Sequence, residues 1–305
     1  MKKVLFITTP RKAKWFEQNN ATAKSLIDFK NKVNKNGISL AVSSIDRLEF
    51  KVDKTSVQIW DNYNECDIAD FDLIHLRNVD KAINLFDYAW AITDYIRHNG
   101  GDVVEEVDQG LALGKLSQMV TFQHRGLPVP RTVASWDNET LKCLALAELS
   151  FPMIVKANNA MQGSDNHLVH TKHELDAILN GSSEQYVAQE FIPNDGDYRV
   201  LFNGYSQPPL IFKRQKIEGS HLSNTSKGSE AQLQTPDALG DGVSIALEAA
   251  KAVNRKFTGI DIMQNNVTNE WVLLEANVNP ALATGVFRDT KAELYAKMIT
   301  ERVGK

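Results

Sequence analysis

Oxygen-bearing side chains lie in two neighbouring apolar segments near the end of the chain. Segment 259–263 reads Gly-Ile-Asp-Ile-Met, and segment 271–277 reads Trp-Val-Leu-Leu-Glu-Ala-Asn. A carboxylate in an apolar strand is costly unless a partner neutralises its charge. Glu275 and Asn277 are two residues apart, so their side chains point to one face of a strand. The residues between the segments are rich in turn formers, which predicts a hairpin that places Asp261 beside Glu275.

Two carboxylates and one amide on adjacent strands suit Mg²⁺ held against nucleotide phosphates, because Mg²⁺ prefers oxygen ligands. Asp261, Glu275 and Asn277 are therefore the candidate metal ligands. The alternative is a polar strand face whose charges pair with lysine or arginine from elsewhere in the chain. Both interpretations remain open at this point.

Two lysines are candidates for phosphate contacts. Lys156 ends the apolar segment 151–156 and precedes a polar loop that contains Gly163. An ammonium group and loop N–H groups in this order can surround phosphates. Lys115 stands near the start of a predicted helix, where it could contact phosphate or base, or be a solvated lysine. The segment around it is not a P-loop, because three residues separate its glycines instead of four.

Further candidates lie at the ends of predicted strands. The end of segment 186–193 could offer backbone donors and acceptors to an adenine edge. Asp197 and Arg199 share one strand face, an arrangement that a simple salt bridge would also explain. Arg77 follows the apolar segment 71–76, and open α/β sheets bind ligands outside the carboxyl ends of their strands. Arg77 is therefore a candidate for a substrate carboxylate, with a plain surface arginine as the alternative.

These residues need a scaffold, and the first hundred residues alternate strand-like and helix-like patterns. That alternation predicts a small open α/β sheet. Its predicted strands are 4–8, 38–43, 71–76 and 102–104, and its predicted helices are 21–35 and 86–98. The first apolar stretch is too short for a signal peptide, so a first β-strand is the better interpretation.

The rest of the chain predicts a second mixed region, followed by the acidic hairpin. Predicted helices are 111–125, 141–149, 174–179 and 242–256, and predicted strands are 151–156, 167–170, 186–192, 198–202 and 210–217. Residues 219–230 are crowded with Ser, Gly, Asn and Thr, which predicts a mobile loop.

Composition excludes several classes of protein. The chain has 305 residues, of which 43% are apolar and 24% charged, as in ordinary globular proteins. Its net charge of -4 argues against broad nucleic-acid binding through a basic surface. The two cysteines are far apart and suggest neither a disulfide framework nor a zinc site. No apolar run reaches membrane-spanning length, and we expect a cytoplasmic protein without nucleic-acid or membrane partners.

Between residues 110 and 285, these segments resemble the ATP-grasp superfamily in order and spacing, and within it the RimK-like carboxylate–amine ligases. The resemblance implies an α/β N-terminal open-sheet domain followed by two α+β lobes, the ATP-grasp fold. The corresponding domains are 1–109, 110–185 and 186–305, the last with the metal site. Two departures stand out: the loop after Lys156 is poor in glycine, and Leu222 stands where the family tends to carry arginine.

The resemblance also assigns roles to individual residues. It implies nucleotide contacts from Lys115, Lys156, Gly163, Gln189, Glu190, Phe191, Ile192, Asp197 and Asn224. It implies that Arg199, Arg214 and Lys227 balance charge at the reacting phosphoryl group, and that Asp261, Glu275 and Asn277 hold one or two Mg²⁺, or Mn²⁺. Arg288, beyond the hairpin, joins Arg77 as a candidate for substrate recognition, with a surface charge as the alternative.

The implied function is an ATP-dependent carboxylate–amine ligase that forms an amide through an acyl phosphate and releases ADP and phosphate. Its partners would be ATP, a carboxylate and an amine, with an amino acid or peptide among them, and a homo-oligomer is conceivable. Two other functions are compatible with the same fold: a kinase that phosphorylates a small molecule, and a non-catalytic ATP-binding module.

Overall fold

The structure, a computed structural model, describes residues 1–9, 21–77, 83–105, 114–158, 165–216 and 230–303. The chain divides into two compact units. The first combines Met1–Ala112 with Asn279–Lys305, and the second is Leu113–Val278. The three predicted domains with boundaries at 109 and 185 stay a prediction.

The described segments contain sixteen strands and seven α-helices, numbered here along the chain. In the first stretch these are β1 (Lys2–Thr8), α1 (Ala21–Lys35), β2 (Ile38–Ser44), β3 (Leu48–Val52), β4 (Val57–Asp61), β5 (Cys66–Asp67), β6 (Leu73–Leu76), α2 (Ile83–His98) and β7 (Asp102–Val104). Next come α3 (Lys115–Gln123), β8 (Thr132–Ala134), α4 (Asn138–Glu148), β9 (Met153–Ala157), β10 (Asn166–Val169), α5 (Lys172–Leu179) and β11 (Tyr186–Glu190). The last are β12 (Gly196–Asn203), β13 (Leu210–Gln215), β14 (Ala231–Gln234), α6 (Asp241–Ala252), β15 (Phe257–Gln264), β16 (Trp271–Asn277) and α7 (Arg288–Val303).

The first unit is built on the parallel sheet β2-β1-β6-β7, as predicted. Successive side chains of a strand face opposite ways, and the two faces of β1 are covered differently. Leu5 and Ile7 belong to one buried cluster with residues of α2. Phe6, between them, packs its ring against Phe29 of α1 and Tyr295 of α7.

Two parts of the first unit were not predicted. A three-stranded antiparallel sheet, β3-β4-β5, follows β2. Helix α7 buries three pairs of adjacent residues, and the pairs recur every three or four positions: Lys291 and Ala292, Tyr295 and Ala296, Met298 and Ile299. That spacing is the signature of a helix with one buried face.

The second unit contains two antiparallel sheets, each with its own buried core. The smaller sheet has the order β10-β9-β11-β8, and its core includes residues of α4 and α5. The larger sheet has the order β14-β13-β12-β15-β16, and its core includes residues of α3 and α6. Two α+β lobes after an open α/β sheet confirm the predicted ATP-grasp fold class.

Several predicted boundaries were wrong by a few residues. Helix α6 begins at Asp241 and ends at Ala252, four residues before the predicted end. Asn254 has a φ of 49°, a left-handed conformation that an α-helix does not continue through. Strand β11 ends at Glu190, two residues early, because the chain leaves the small sheet there. The helices of the described segments include none that is long and apolar enough to span a membrane.

Gly196, the first residue of β12, offers a test of how this strand is positioned. Its φ is 111°, and an added Cβ would lie 2.2 Å from the backbone oxygen of Arg214 on β13. Gly196→Ala should therefore lower the free energy of unfolding by at least about 1–3 kcal/mol, the range for a strained backbone conformation. Urea unfolding followed by circular dichroism measures this change.

Gly240→Ala is the matched control. Gly240 also has a positive φ, of 51°, but nothing lies within 4 Å of its added Cβ. It should lose less stability than Gly196→Ala. Equal losses would show that the close approach of β12 and β13 does not limit the strand.

Candidate functional site

The candidate site is built on the three central strands of the large sheet. Strand β12 pairs with β13 on one side and β15 on the other, so that Asp197 lies opposite Arg214 and Arg199 opposite Asp261. Asp197 and Arg199 are two residues apart and share one face of β12. Four ionisable side chains are thereby brought together by the strand register.

Asp261 lies at the centre of these contacts and is only 4% exposed. Arg199 donates to both of its oxygens, through Nε to Oδ1 and through Nη2 to Oδ2 at 2.8 Å. Nη2 of Arg214 lies 2.9 Å from Oδ2. Nδ2 of Asn277 donates to the same oxygen at 3.2 Å. The carboxylate is thus held by two guanidinium groups and one amide.

Arg214 joins the two acids. Its Nε donates to Oδ1 of Asp197, and its Nη2 contacts Asp261. The interpretation of Asp197 and Arg199 as a salt bridge with each other was wrong, since each pairs across to a neighbouring strand. The register explains this, because opposite residues on adjacent strands are closer than residues two apart on one strand.

The electrostatics of this group follow from burial and pairing. Burial opposes the charge of Asp261, but Arg199 and Arg214 outweigh it and lower the pKa of Asp261 to about 2. Burial raises the pKa of Asp197 to about 6, against the attraction of Arg214. Burial disfavours the charge of Arg214 as well, yet Asp261 and Asp197 raise its pKa above the usual value. Asp261 is therefore the firmly ionised acid of the group.

Glu275 lies opposite Asp261 in the pairing of β15 with β16, which confirms the predicted hairpin and its register. A register shift follows immediately, between Asp261 and Ile262. Nδ2 of Asn277 donates to Oε1 of Glu275 at 3.1 Å as well as to Asp261. The three predicted metal ligands therefore lie together. The alternative pairing with arginine also holds, for Asp261, in the described structure.

Two lysines lie near these acids, Lys156 on the small sheet and Lys115 at the start of α3. Lys156, on β9, is 7% exposed. Burial lowers the pKa of Lys156 to about 8, with Lys115 acting in the same direction and Glu275 and Asp261 against it. Burial also lowers the pKa of Lys115, against Glu275 and Asp165. The carboxylate of Glu275 thus interacts electrostatically with both lysines. The two sheets of the second unit therefore contribute charges to one site.

The end of β9 and the residue that follows it are anchored to helix α3. Nζ of Lys115 donates to the backbone oxygen of Ala157 at 2.9 Å. The backbone N–H of Leu116 donates to Oδ1 of Asn158, also at 2.9 Å. Gly114 lies at the N-cap of α3. Asn158 thus accepts from N–H groups of the first helical turn, which would otherwise lack intrahelical partners. The N-terminus of this helix is therefore fixed next to the Lys156 strand.

Gln118 is a residue that sequence reasoning missed. It is 5% exposed, and its side chain both donates to the backbone oxygen of Ala276, at 3.1 Å, and accepts from the backbone N–H of Ala276, at 2.7 Å. Ala276 stands between Glu275 and Asn277 on β16, the last strand of its sheet. Gln118 thus holds the edge strand at the position of the two metal-ligand candidates. A lone glutamine in a helix offers no sequence signal for this role.

The predicted adenine-binding segment connects the two lobes. The side chain of Gln189 is buried and donates to Oγ1 of Thr132 at 2.8 Å. Oε1 of Glu190 accepts from the backbone N–H of Arg131 at 2.8 Å. Ile192 is 8% exposed. The side chain of Gln189 is thus committed to the small sheet, and its predicted nucleotide contact, like those of Glu190, Phe191 and Ile192, stays a prediction.

The remaining predicted residues fall into two groups. Gly163, Asn224 and Lys227 lie outside the described residues. Arg77 and Arg288 lie in the first unit, where Nη2 of Arg77 donates to the backbone oxygen of Pro280 at 2.9 Å and Nη1 of Arg288 donates to Oγ of Ser25 at 2.6 Å. Both contacts are with the protein itself, and the substrate roles of these arginines stay predictions.

The donor set fits magnesium by its chemistry. Asp261 and Glu275 offer hard carboxylate oxygens from two paired strands. Asn277 carries an amide oxygen as well, while its Nδ2 is the atom that contacts the two acids in the described structure. In the described part of the chain, no three or more His, Cys, Asp and Glu side chains are grouped to hold a metal. The set contains only two such residues, and the third donor is an amide. Phosphate oxygens and water complete such sites for Mg²⁺.

The profile of the RimK-like ATP-grasp domain matches residues 112–301. The chain therefore belongs to the RimK-like ATP-grasp family, which confirms the predicted resemblance. Among curated relatives, a probable alpha-L-glutamate ligase of Shewanella loihica is 29% identical over 59% of this chain and 60% of its own length. A second protein of that name, from Vibrio vulnificus, is 26% identical over 87% and 86%.

Solved structures of ATP-grasp ligases share the fold. PsnB, complexed with the precursor peptide PsnA2 and AMPPNP, has a TM-score of 0.66 at 17% identity, covering 99% of this chain and 98% of its own. The macrocyclase MdnC of Microcystis aeruginosa, bound with the precursor peptide MdnA, has a TM-score of 0.67 at 16% identity, covering 98% and 99%. At these identities the likeness shows the fold alone.

Removal of the Asp261 carboxylate should strongly destabilise the protein. Asp261→Ala leaves two largely buried guanidinium groups without their shared partner. Breaking a buried ion pair from one side costs about 3–5 kcal/mol. Urea unfolding of the variant without nucleotide measures the loss. Glu275→Ala is the control, because Glu275 accepts a hydrogen bond from the neutral amide of Asn277. Its free energy of unfolding should fall clearly less than that of Asp261→Ala. Comparable losses would contradict the central position of Asp261.

Proposed function

We propose that this protein is an ATP-dependent carboxylate–amine ligase that forms an amide bond and releases ADP and phosphate. The observation that carries the proposal is the meeting of two lysines, Lys156 of the small sheet and Lys115 at the start of α3, with the Asp261, Glu275 and Asn277 set of the large sheet. The family match and the ligase names of the relatives support this reaction class.

The proposed reaction has two steps. A carboxylate oxygen of the first substrate attacks the γ-phosphorus of ATP, and the bond from that phosphorus to the ADP oxygen breaks. The resulting acyl phosphate is then attacked at its carbonyl carbon by the amine, which loses a proton as inorganic phosphate leaves. Anionic charge accumulates at the phosphoryl group, so catalysis rests mainly on positioning and charge stabilisation.

The described residues divide this work by position. Lys156 faces the phosphates from the small sheet and Lys115 from the start of α3. Arg199 and Arg214 face them from the large sheet. Asp261, Glu275 and Asn277 would hold Mg²⁺, which would supply charge neutralisation at the phosphate oxygens. Asp197 keeps Arg214 in position through its Nε contact. Lys227, in the sequence between β13 and β14, adds a further positive charge.

The substrate class follows from the relatives. The names of the curated relatives support L-glutamate as the first amine to test. The peptide complexes of PsnB and MdnC support a peptide as the carboxylate substrate. Mn²⁺ as a replacement for Mg²⁺, the number of ions, a homo-oligomeric state and a cytoplasmic location stay predictions.

A matrix of carboxylates and amines tests the proposed function directly. Purified protein is incubated with ATP and Mg²⁺ and each pair, beginning with L-glutamate and glutamate-ended peptides, and ADP, phosphate and product masses are recorded. A ligase gives ADP and phosphate in equal amounts, with a product mass lower by one water than the sum of the substrates. ADP formation without an amine, with a phosphorylated product, would instead show a kinase.

Loss of Glu275 should impair turnover much more than it impairs folding. Glu275→Ala removes one contact of the phosphate-charge network, and loss of one preorganised transition-state contact costs about 10²-fold or more. Steady-state ADP release with the best substrate pair measures the effect. Glu270→Ala, an exposed glutamate on the same hairpin, is the control and should retain activity. Near wild-type turnover of Glu275→Ala would contradict the metal role.

Nucleotide affinity should depend on the protonation of Lys156. Its pKa of about 8 in the ligand-free protein means that the ammonium form predominates below this pH and is lost above it. Phosphates favour the charged form, so binding raises the pKa and takes up a proton. Affinity for ADP with Mg²⁺ should therefore fall as pH rises above about 8, by up to about tenfold per pH unit.

Calorimetry across this pH range, in buffers of different ionisation enthalpy, measures both the affinity and the proton uptake. Lys156→Met is the matched variant, since it keeps a long apolar stem without a titrating group. It should bind more weakly at neutral pH and lose the alkaline dependence. A wild-type affinity that does not change with alkaline pH would contradict a phosphate contact by Lys156.

A further inference from the structure

Asp261 has two incompatible sets of partners. In the described structure, both of its oxygens are occupied by guanidinium groups and by Asn277. As a Mg²⁺ ligand it would offer a carboxylate oxygen directly to the ion. The charge of a bound divalent cation would repel guanidinium groups in contact with the same carboxylate. The arginines must therefore give up at least part of their contact when the carboxylate binds a metal.

The arginines need an anion in either state. Arg214 is 4% exposed, and the side chain of Arg199 is 16% exposed. A buried guanidinium without a partner is strongly unfavourable. Free Mg²⁺ brings no anion to replace Asp261, and free nucleotide must compete with Asp261 for the arginines. A metal–nucleotide complex supplies a cation for the acid and phosphates for the arginines at once.

We infer that the Asp261 ion pairs with Arg199 and Arg214 make this site select the metal–nucleotide complex over either component alone. The inference rests on the proposed function and adds a specificity role to these three residues. Exchange of partners keeps the charges of Asp261, Arg199 and Arg214 paired before and after binding. Asp197 remains on Nε of Arg214 in both states and limits how far that side chain moves.

Such a site couples its two ligands. Metal binding then strengthens phosphate binding, and phosphate binding strengthens metal binding by the same factor. The coupling adds to the association of Mg²⁺ with nucleotide in solution. It also has a counterintuitive consequence, because loss of the acid frees the arginines: Asp261→Asn should bind metal-free nucleotide more tightly than wild type does.

The test measures ADP affinity by calorimetry in excess EDTA and again in Mg²⁺. For Asp261→Asn we expect affinity in EDTA at least about tenfold above wild type, within the usual range of coupling between sites, and a strongly reduced response to Mg²⁺. Glu275→Gln is the matched control. This variant also removes one negative charge, from the position opposite Asp261. Among the described residues, the carboxylate of Glu275 in the wild-type protein is hydrogen bonded by Asn277, not by an arginine.

An equal gain for both variants would show a general charge effect and overturn the inference, as would no gain for Asp261→Asn. Wild-type protein that binds ADP equally well with and without Mg²⁺ would also overturn it, while leaving the ligase proposal intact. Absence of ADP binding under every condition would overturn both. These outcomes are read as affinities and do not depend on the unknown substrates.

A reciprocal measurement covers the case in which Asp261→Asn does not fold. Binding of Mn²⁺ to nucleotide-free protein is followed by its electron paramagnetic resonance signal. Wild type should bind Mn²⁺ weakly, and Arg214→Gln should bind it at least about tenfold more tightly. Lys156→Gln, which removes a charge near Glu275, is the control and should gain less. Tight Mn²⁺ binding by nucleotide-free wild type would overturn the inference.

Discussion

The charge of Asp261, buried in the large sheet, constrains the structure around it. An ionised carboxylate at 4% exposure needs close cationic partners, and the register of β12 with β13 and β15 provides two. The register also has geometric requirements. An added Cβ on Gly259 would lie 2.7 Å from Cδ of Arg199, so only glycine leaves room for the Arg199 side chain as it is placed. The backbone of the sheet is thus adapted to the arrangement of these charges.

The second constraint concerns β16, which carries Glu275 and Asn277 but lies at the end of its sheet. An edge strand has one row of backbone groups without strand partners. Here Gln118 satisfies the N–H and the carbonyl of Ala276, and the backbone oxygen of Pro128 accepts from the N–H of Leu273. Oxygen ligands need a fixed geometry to favour Mg²⁺. The support from α3 and the following loop gives the edge strand that rigidity.

Features that depend on local pattern were predictable, and features that depend on long-range register were not. The pairing of Asp261 with Glu275 follows from strand periodicity and a short hairpin. The contacts of Arg199 and Arg214 with Asp261 join strands more than forty residues apart, and pattern alone carries no register between them. The sheet β3-β4-β5 was missed although Leu48, Phe50 and Val52 alternate with charged residues, a half-buried strand signal.

The two sequence interpretations of the acidic strands, a metal site and a polar face paired with arginine, are therefore not exclusive. A carboxylate that binds a metal remains buried when no metal is bound, and cations within the fold then offset the desolvation penalty of its charge. Here these cations are arginines, which also bind phosphates well. If the same guanidinium groups serve both purposes, the charge of Asp261 stays paired in the empty site and needs no separate neutralising residues. A lysine in place of Arg199 could not bond both oxygens of Asp261 through one planar group, which explains why arginine is suited to this position.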